Sequence, residues 1–172
     1  MNYFDELTNA MVMLAEDPRS IFMGQAVAFP GTAIFNTLHN VPMGKRLELP
    51  VFENTQLGMA IGMSLDGLLP ICIYPRINFL LEAMSQLVQH LDKLPLYSKY
   101  QPKVIIRTAV ATPEPLDPGP QHLGDYSNAI QGMLTTIPVV KLYRTQDIMP
   151  GYRGALERDG STLLVEYTRN YQ

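Results

Sequence analysis

The segment that decides the fold spans residues 46–67 and reads RLELPVFENTQLGMAIGMSLDG. Its first four residues favour a short strand, and residues 54–65 favour a helix that Asn54 or Thr55 caps. Gly67 provides the expected C-terminal stop of that helix. The segment therefore predicts a strand and a helix that are joined by a short connection.

That connection carries one charge, Glu53, between the apolar Val51 and the small, apolar start of the helix. Burying an unpaired carboxylate is expensive, so a charge at this place needs a reason. One interpretation is structural, because an acid in the first helical turn gains about 0.3–1 kcal/mol from the helix dipole. The other is functional: Gly58 and Gly62 let the helix press closely on a cofactor, beside which a desolvated glutamate can exchange a proton.

Apolar runs and helical spacings alternate along the chain. Leu80, Ala83, Leu87 and Leu91 show the clearest helical spacing, in a helix that Asn78 is expected to cap. Alternating strands and helices imply a mainly parallel sheet with helices on both faces, which is a three-layer α/β/α domain. Strands are predicted at residues 20–27, 46–49, 69–74, 103–107, 138–143 and 162–168, and helices at residues 4–14, 54–65, 78–91, 126–133 and 152–158.

The composition limits the class of protein. With 172 residues, 47% of them apolar, the chain is long enough for one domain with a sizeable core. A net charge of −3 with 13 scattered basic residues argues against nucleic acid as a partner. The single cysteine, Cys72, excludes an internal disulfide and favours a cytoplasmic location. Neither a membrane span nor a signal peptide is predicted.

Two further side chains follow predicted strands and can reach the edge where ligands of parallel sheets bind. Phe79 lies one position off the apolar stripe of its helix, where it is either a flank of the core or a platform for a flat ligand. His122 follows a proline-rich loop and is either an exposed bystander or a proton donor that the stiff loop holds in place. The sequence contains no phosphate-binding glycine loop and no cysteine metal cluster, so no metal ligands are assigned.

Taken together, these segments resemble the transketolase-like pyrimidine-binding domain of thiamine diphosphate enzymes. The similarity is closest to the β subunit of pyruvate dehydrogenase-type 2-oxo acid dehydrogenases. It runs in order through nearly the whole chain, from LAEDPRSIFMGQAV at residues 14–27, through residues 49–93, to KVIIRT, PQH, IPVVKLY and TLLVEY.

The resemblance implies roles for the candidate residues. Glu53 matches the glutamate that hydrogen-bonds a ring nitrogen of the aminopyrimidine and activates the cofactor. Phe79 matches the aromatic residue that stacks on that ring, and His122 matches a histidine that handles protons near the substrate. Val51 and Glu82 are further cofactor-binding candidates. Glu53 and His122 are therefore the expected catalytic residues.

The chain departs from the family in three places. An acid usually follows the strand glycine, where this chain has Gln25 after Gly24. Glu82 stands where pyruvate dehydrogenase has a glutamine, and residues 112–118 replace a glycine-rich stretch. The last of these differences concerns the substrate pocket, so the resemblance does not define the substrate.

The resemblance also implies a split enzyme. Residues 1–172 are expected to form a single pyrimidine-binding domain, with neither a diphosphate-binding domain nor a C-terminal transketolase domain. A separate partner chain is then expected to hold the diphosphate and its magnesium, and two copies of each chain would form a heterotetramer around a homodimer. The expected reaction is that of an oxidoreductase or a transferase acting on a 2-oxo acid or a ketose. The alternative is a non-catalytic interaction protein that keeps the fold and the partner surface.

Overall fold

The centre of the molecule is a six-stranded sheet in the computed structural model, which describes residues 2–114 and 117–171. The strands are β1 (Ser20–Gly24), β2 (Arg46–Glu48), β3 (Leu69–Tyr74), β4 (Ile105–Val110), β5 (Val139–Lys141) and β6 (Thr162–Tyr167). Their order in the sheet is β2-β1-β3-β4-β6-β5, and every pairing between the described strands is parallel.

Helices cover both faces of this sheet. They are α1 (Tyr3–Glu16), α2 (Ala33–Asn36), α3 (Glu53–Leu65), α4 (Ile77–Leu81), α5 (Leu94–Tyr97), α6 (Ser127–Met133) and α7 (Thr145–Glu157), with a π-helix at Ser85–Leu91 and 3₁₀ turns at Met43–Lys45, Pro120–His122 and Thr168–Asn170. On one face α1 and α7 pack on a core that includes Leu7 and Tyr152, and on the other α3 and α4 pack on a core that includes Leu57 and Leu80. This arrangement confirms the predicted three-layer α/β/α fold.

Several predicted boundaries were wrong. The helix after β2 begins at Glu53 itself, and neither Asn54 nor Thr55 caps it. The helix predicted at 78–91 is divided into α4 and the π-helix, although its apolar stripe is buried as predicted. The last helix starts at Thr145, where Asp147 accepts a hydrogen bond from the backbone N–H of Arg144, and Pro150 lies inside it.

The first strand ends at Gly24, three residues before the predicted end, because the chain turns there. Gly24 has a φ of +147°, and a Cβ atom at this position would overlap the backbone carbonyl oxygen of Ile73 on β3. Residues with side chains rarely adopt such a backbone conformation. Glycine at position 24 is therefore required both by the turn and by the close approach of β1 to β3.

A buried ion pair joins the neighbouring strands β4 and β6, and no local pattern in the sequence predicted it. Arg107 donates two hydrogen bonds to Glu166, at 2.7 and 3.0 Å, and both side chains are fully buried. The hydroxyls of Tyr152 and Tyr171 also donate to Glu166. Burial alone would lower the pKa of Arg107, but the Glu166 carboxylate raises it above its ordinary value. Arg107 therefore stays charged inside the core.

We expect Gly24→Ala to lower the free energy of unfolding by about 2 kcal/mol or more, because the new methyl group must displace the backbone of β3. Gly62→Ala is the matched control, since Gly62 is helical and exposed, and a methyl group added there would meet open space. It should stabilise the protein by about 0.5–1 kcal/mol through helix propensity. Urea denaturation of the three proteins measures both changes, and equal stability of Gly24→Ala and the parent would contradict the close approach.

Candidate functional site

The candidate residues follow the carboxyl ends of adjacent strands of the sheet. Four adjacent strands, β2, β1, β3 and β4, each end at the carboxyl edge and are followed by one of the side chains in question. Glu53 follows β2, Gln25 follows β1, Phe79 follows β3, and His122 follows β4. In parallel α/β sheets, this edge is where ligands bind.

Glu53 is the first residue of α3, and its side chain is only 8% exposed. Its Oε1 atom accepts one hydrogen bond, from Nε2 of Gln25 at 3.1 Å. Within the described residues, no hydrogen bond reaches its Oε2 atom. Glu53 therefore begins a helix, and it is a buried acid with one oxygen that no described residue hydrogen-bonds.

The backbone at Glu53 is tied to β3. The hydroxyl of Tyr74, the last residue of that strand, donates to the carbonyl oxygen of Glu53 at 2.9 Å. Burial, with a contribution from Cys72, raises the pKa of Tyr74 above its ordinary value, so its hydroxyl keeps the proton that it donates. The start of α3 is therefore fixed relative to the end of β3.

One helical turn further along, Gln56 provides a second anchor that sequence reasoning missed. It is fully buried, and its Nε2 atom donates to the carbonyl oxygen of Ile73 at 2.9 Å and to the Cys72 sulfur at 3.3 Å. Since Gln56 lies three residues after Glu53, the two side chains share a helix face. Gln56 is a polar residue on the Glu53 face of an otherwise apolar segment, and this pattern could have identified it from the sequence.

Phe79 and His122 lie together, as the predicted site requires. Their ring centroids are 5.5 Å apart, and the rings are tilted by 53°. Asn78 brings the two segments together, because its Nδ2 atom donates to the backbone carbonyl of Gln121 at 2.7 Å. Two buried atoms, Oδ1 of Asn78 and Nδ1 of His122, have no hydrogen-bond partner among the described residues.

The other two cofactor-binding candidates are more open. Val51 is 75% exposed, and Glu82 is exposed just after the end of α4. The Glu82 carboxylate makes no hydrogen bond within the described residues, and the roles of both residues stay predictions. Pro115 and Leu116, in the loop expected to shape the substrate pocket, lie outside the described residues.

Two cavities are relevant to the location of a ligand. The larger, of about 680 Å³, is lined by β5 and α7 and contains none of the candidate residues. A smaller cavity of about 140 Å³ lies at the carboxyl edge, where Arg76 and Thr112 follow β3 and β4 and line it, and it too contains none of the candidate residues. Ligands of parallel α/β sheets bind at the carboxyl edge, and the candidate residues follow strands at that edge. The carboxyl edge is therefore favoured over the larger cavity as the ligand site.

Within residues 2–114 and 117–171, no three His, Cys, Asp or Glu side chains are grouped so that they could hold a metal ion. No described helix is both long and apolar enough to cross a membrane.

Comparison with known proteins bears on the fold. No protein-family model and no curated protein matches the sequence. Among solved structures, the chain is similar to one described as "Split gene transketolase, inactive beta4 tetramer", with a TM-score of 0.74 and 16% sequence identity. The fold is transketolase-like. The match covers 97% of this chain and 51% of the other, so this chain spans about half the length of that protein.

We expect Asn78→Ala to loosen the His122 segment, because the hydrogen bond to Gln121 is lost. Amide exchange should quicken about 5-fold or more at residues 119–123, which corresponds to about 1 kcal/mol, and should not change in β3 and β4. Asn54→Ala, at an exposed position without a side-chain hydrogen bond among the described residues, is the control. Hydrogen–deuterium exchange measures this, and equal exchange in both variants would show that Asn78 does not hold the loop.

Proposed function

We propose that this chain is the pyrimidine-binding subunit of a split thiamine diphosphate-dependent enzyme. The observation that carries the proposal is the Glu53 carboxylate, which is buried at the carboxyl edge and has one oxygen without a hydrogen bond among the described residues. The paired rings of Phe79 and His122 at the same edge support it. The reaction would be cleavage or formation of a carbon–carbon bond next to a carbonyl group, in a 2-oxo acid or a ketose.

The residues present fit the aminopyrimidine end of the cofactor. Glu53 would hold a proton at Oε2 against a ring nitrogen, and Phe79 offers a half-buried aromatic face for stacking. The buried Oδ1 atom of Asn78, which lacks a partner among the described residues, suits a polar ligand, because buried polar atoms normally have a hydrogen-bond partner. When bound, the cofactor supplies a nucleophilic carbon and an electron sink.

His122 would serve the substrate rather than the cofactor. Its Nδ1 atom is buried, so Nε2 is the ring nitrogen that can reach a substrate. An imidazole has two ring nitrogens and can both give and take a proton. His122 Nε2 would therefore transfer protons to and from the substrate oxygen.

A second chain would complete the site. The 172 residues contain neither a Gly-Asp-Gly motif nor, in the described part, a metal-ligand cluster, so the diphosphate and magnesium need other ligands. The similar structure is described as a split-gene transketolase and as an inactive tetramer, which supports a partner requirement here. Phe29, Leu47 and Val51, on and beside β1 and β2, expose apolar surface that fits an assembly of chains.

The second candidate is a non-catalytic interaction protein, and the word "inactive" in the description of the similar structure favours it. Within the enzyme proposal, two classes remain: a 2-oxo acid dehydrogenase or decarboxylase, and a transketolase-like enzyme. The donor and acceptor substrates that the enzyme uses would distinguish them. A pyruvate dehydrogenase β-type role stays a prediction from the sequence.

The proposal is tested by Glu53→Gln, assayed with a candidate diphosphate-binding chain and with 2-oxo acids and ketoses as substrates. We expect turnover to fall by roughly 10² or more, because the amide cannot exchange the proton. The fold should survive, since a glutamine oxygen can still accept the hydrogen bond from Gln25.

Glu157→Gln is the matched control. Glu157 is exposed at the end of α7, at the amino edge of the sheet, so its loss of charge should leave turnover unchanged. If Glu53→Gln retains turnover equal to that of Glu157→Gln, Glu53 does not activate the cofactor. That result would favour the non-catalytic interaction protein.

His122→Ala tests the substrate side of the site. We expect a loss of roughly 10- to 100-fold that differs among substrates, because proton transfer to each substrate oxygen depends on its basicity. Steady-state kinetics on the same panel measures this. If His122→Ala and the parent protein convert each substrate at the same rate, His122 takes no part in the reaction.

A further inference from the structure

The only hydrogen-bond donor to the Glu53 carboxylate among the described residues is an amide, Gln25, and the turn that carries it is firmly held. We propose that Gln25 is the positioning residue of Glu53, and that its amide leaves Glu53 as the one acid of this pair that can titrate. The catalytic consequence rests on the proposed function, whereas the pairing itself does not.

The turn that carries Gln25 is clamped from both sides. Before it, Gly24 lies against the carbonyl of Ile73, where no other residue fits. After it, the carboxylate of Glu48 accepts hydrogen bonds from three consecutive backbone N–H groups, those of Ala26 at 2.7 Å, Val27 at 2.8 Å and Ala28 at 2.7 Å.

This clamp has an observable consequence in the backbone. Ala26 adopts a φ of +52°, a left-handed conformation that costs a non-glycine residue on the order of 1 kcal/mol. The three charge-assisted bonds to Glu48 offset that cost. Glu48 thus holds the turn, and the turn directs the Gln25 side chain towards Glu53.

An amide at position 25 does two things that an acid would not. Its Nε2 donates to Oε1 of Glu53 at 3.1 Å, which orients the carboxylate and leaves Oε2 for another partner. It also carries no titrating proton, so it cannot compete for the proton that Glu53 handles. Two carboxyls at this distance would share one proton, because like charges so close cannot both ionise easily.

The other ionisable groups around Glu53 do not take over this role. On β3, burial raises the pKa of Cys72 to about 11 and raises that of Tyr74 as well, so both keep their protons at neutral and acid pH. On β2, both oxygens of Glu48 are engaged by the backbone of residues 26–28. On the π-helix that packs against α3, His90 is exposed. Gln25 and Glu53 therefore form a pair with a single titrating member.

The test uses the chain by itself and needs no cofactor. Carbon-13 NMR of glutamate side-chain carboxyls follows their titration, and Glu53→Gln assigns the Glu53 signal. We expect one titration step for Glu53 in the parent protein and two coupled steps, separated by at least about one pH unit, in Gln25→Glu. Gln25→Leu is the control without a second acid and should show one step with a displaced signal.

A measurement on the parent protein covers the case in which Gln25→Glu does not fold. The side-chain amide protons of Gln25 should shift in proportion as Glu53 titrates, because they are bonded to the titrating group. An invariant amide signal, or a single unchanged step in a folded Gln25→Glu protein, would overturn the pairing.

The catalytic consequence is measured with the partner chain present. Gln25→Leu should lower kcat by about 10-fold or more at every pH, because Glu53 is no longer oriented. Gln25→Glu should move the acid limb of the kcat profile by at least about one pH unit. Unchanged kcat in Gln25→Leu, in an enzyme that Glu53→Gln disables, would overturn the positioning role. Two-step titration in a protein with no thiamine diphosphate-dependent activity would support the pairing and overturn only the proposed function.

Discussion

The close approach of β1 to β3 at Gly24 is the constraint on which the candidate site depends. The carbonyl of Ile73 lies where a side chain at position 24 would be, and the same carbonyl accepts the hydrogen bond of Gln56 that fixes α3. Because Glu53 begins α3 and Gln25 follows Gly24, both members of the carboxylate–amide pair are placed by this one contact. A shift of β1 against β3 would move both.

The carboxylates of this protein differ in how completely they are hydrogen-bonded. Asp92 accepts hydrogen bonds from the backbone N–H groups of residues 135–137, Glu48 from those of residues 26–28, and Glu166 from Arg107 and two tyrosine hydroxyls. Each of these acids, of which Asp92 and Glu166 are buried and Glu48 is half-buried, has donors for both oxygens. Glu53 has one donor for one oxygen among the described residues. Its hydrogen bonding is left incomplete, as the proposed role of Glu53 on a ligand requires.

Much of this arrangement follows from local pattern, and the rest does not. The alternation of apolar runs and helical spacings predicted the α/β fold, and the position of Glu53 and His122 after strands predicted their shared edge, because parallel strands end together. The Arg107–Glu166 pair could not be predicted, since nothing local reveals which partner a charge in a strand will meet 59 positions away. The role of Glu48 was missed for the same reason: its partners are backbone atoms of a turn that is distant in sequence. The division at the π-helix was missed because the apolar stripe fits both helix types.

We infer above all that this chain provides only the aromatic end of a shared thiamine diphosphate site. Glu53 and the paired rings suit a heteroaromatic ring, whereas no metal-ligand group occurs in the described residues to hold a diphosphate through magnesium. Isothermal titration calorimetry of thiamine diphosphate and magnesium into the lone chain, and then into the chain mixed with its diphosphate-binding partner, measures this directly. We predict weak, magnesium-independent binding to the lone chain and tight, magnesium-dependent binding to the mixture. Tight, magnesium-dependent binding to the lone chain would contradict a shared site.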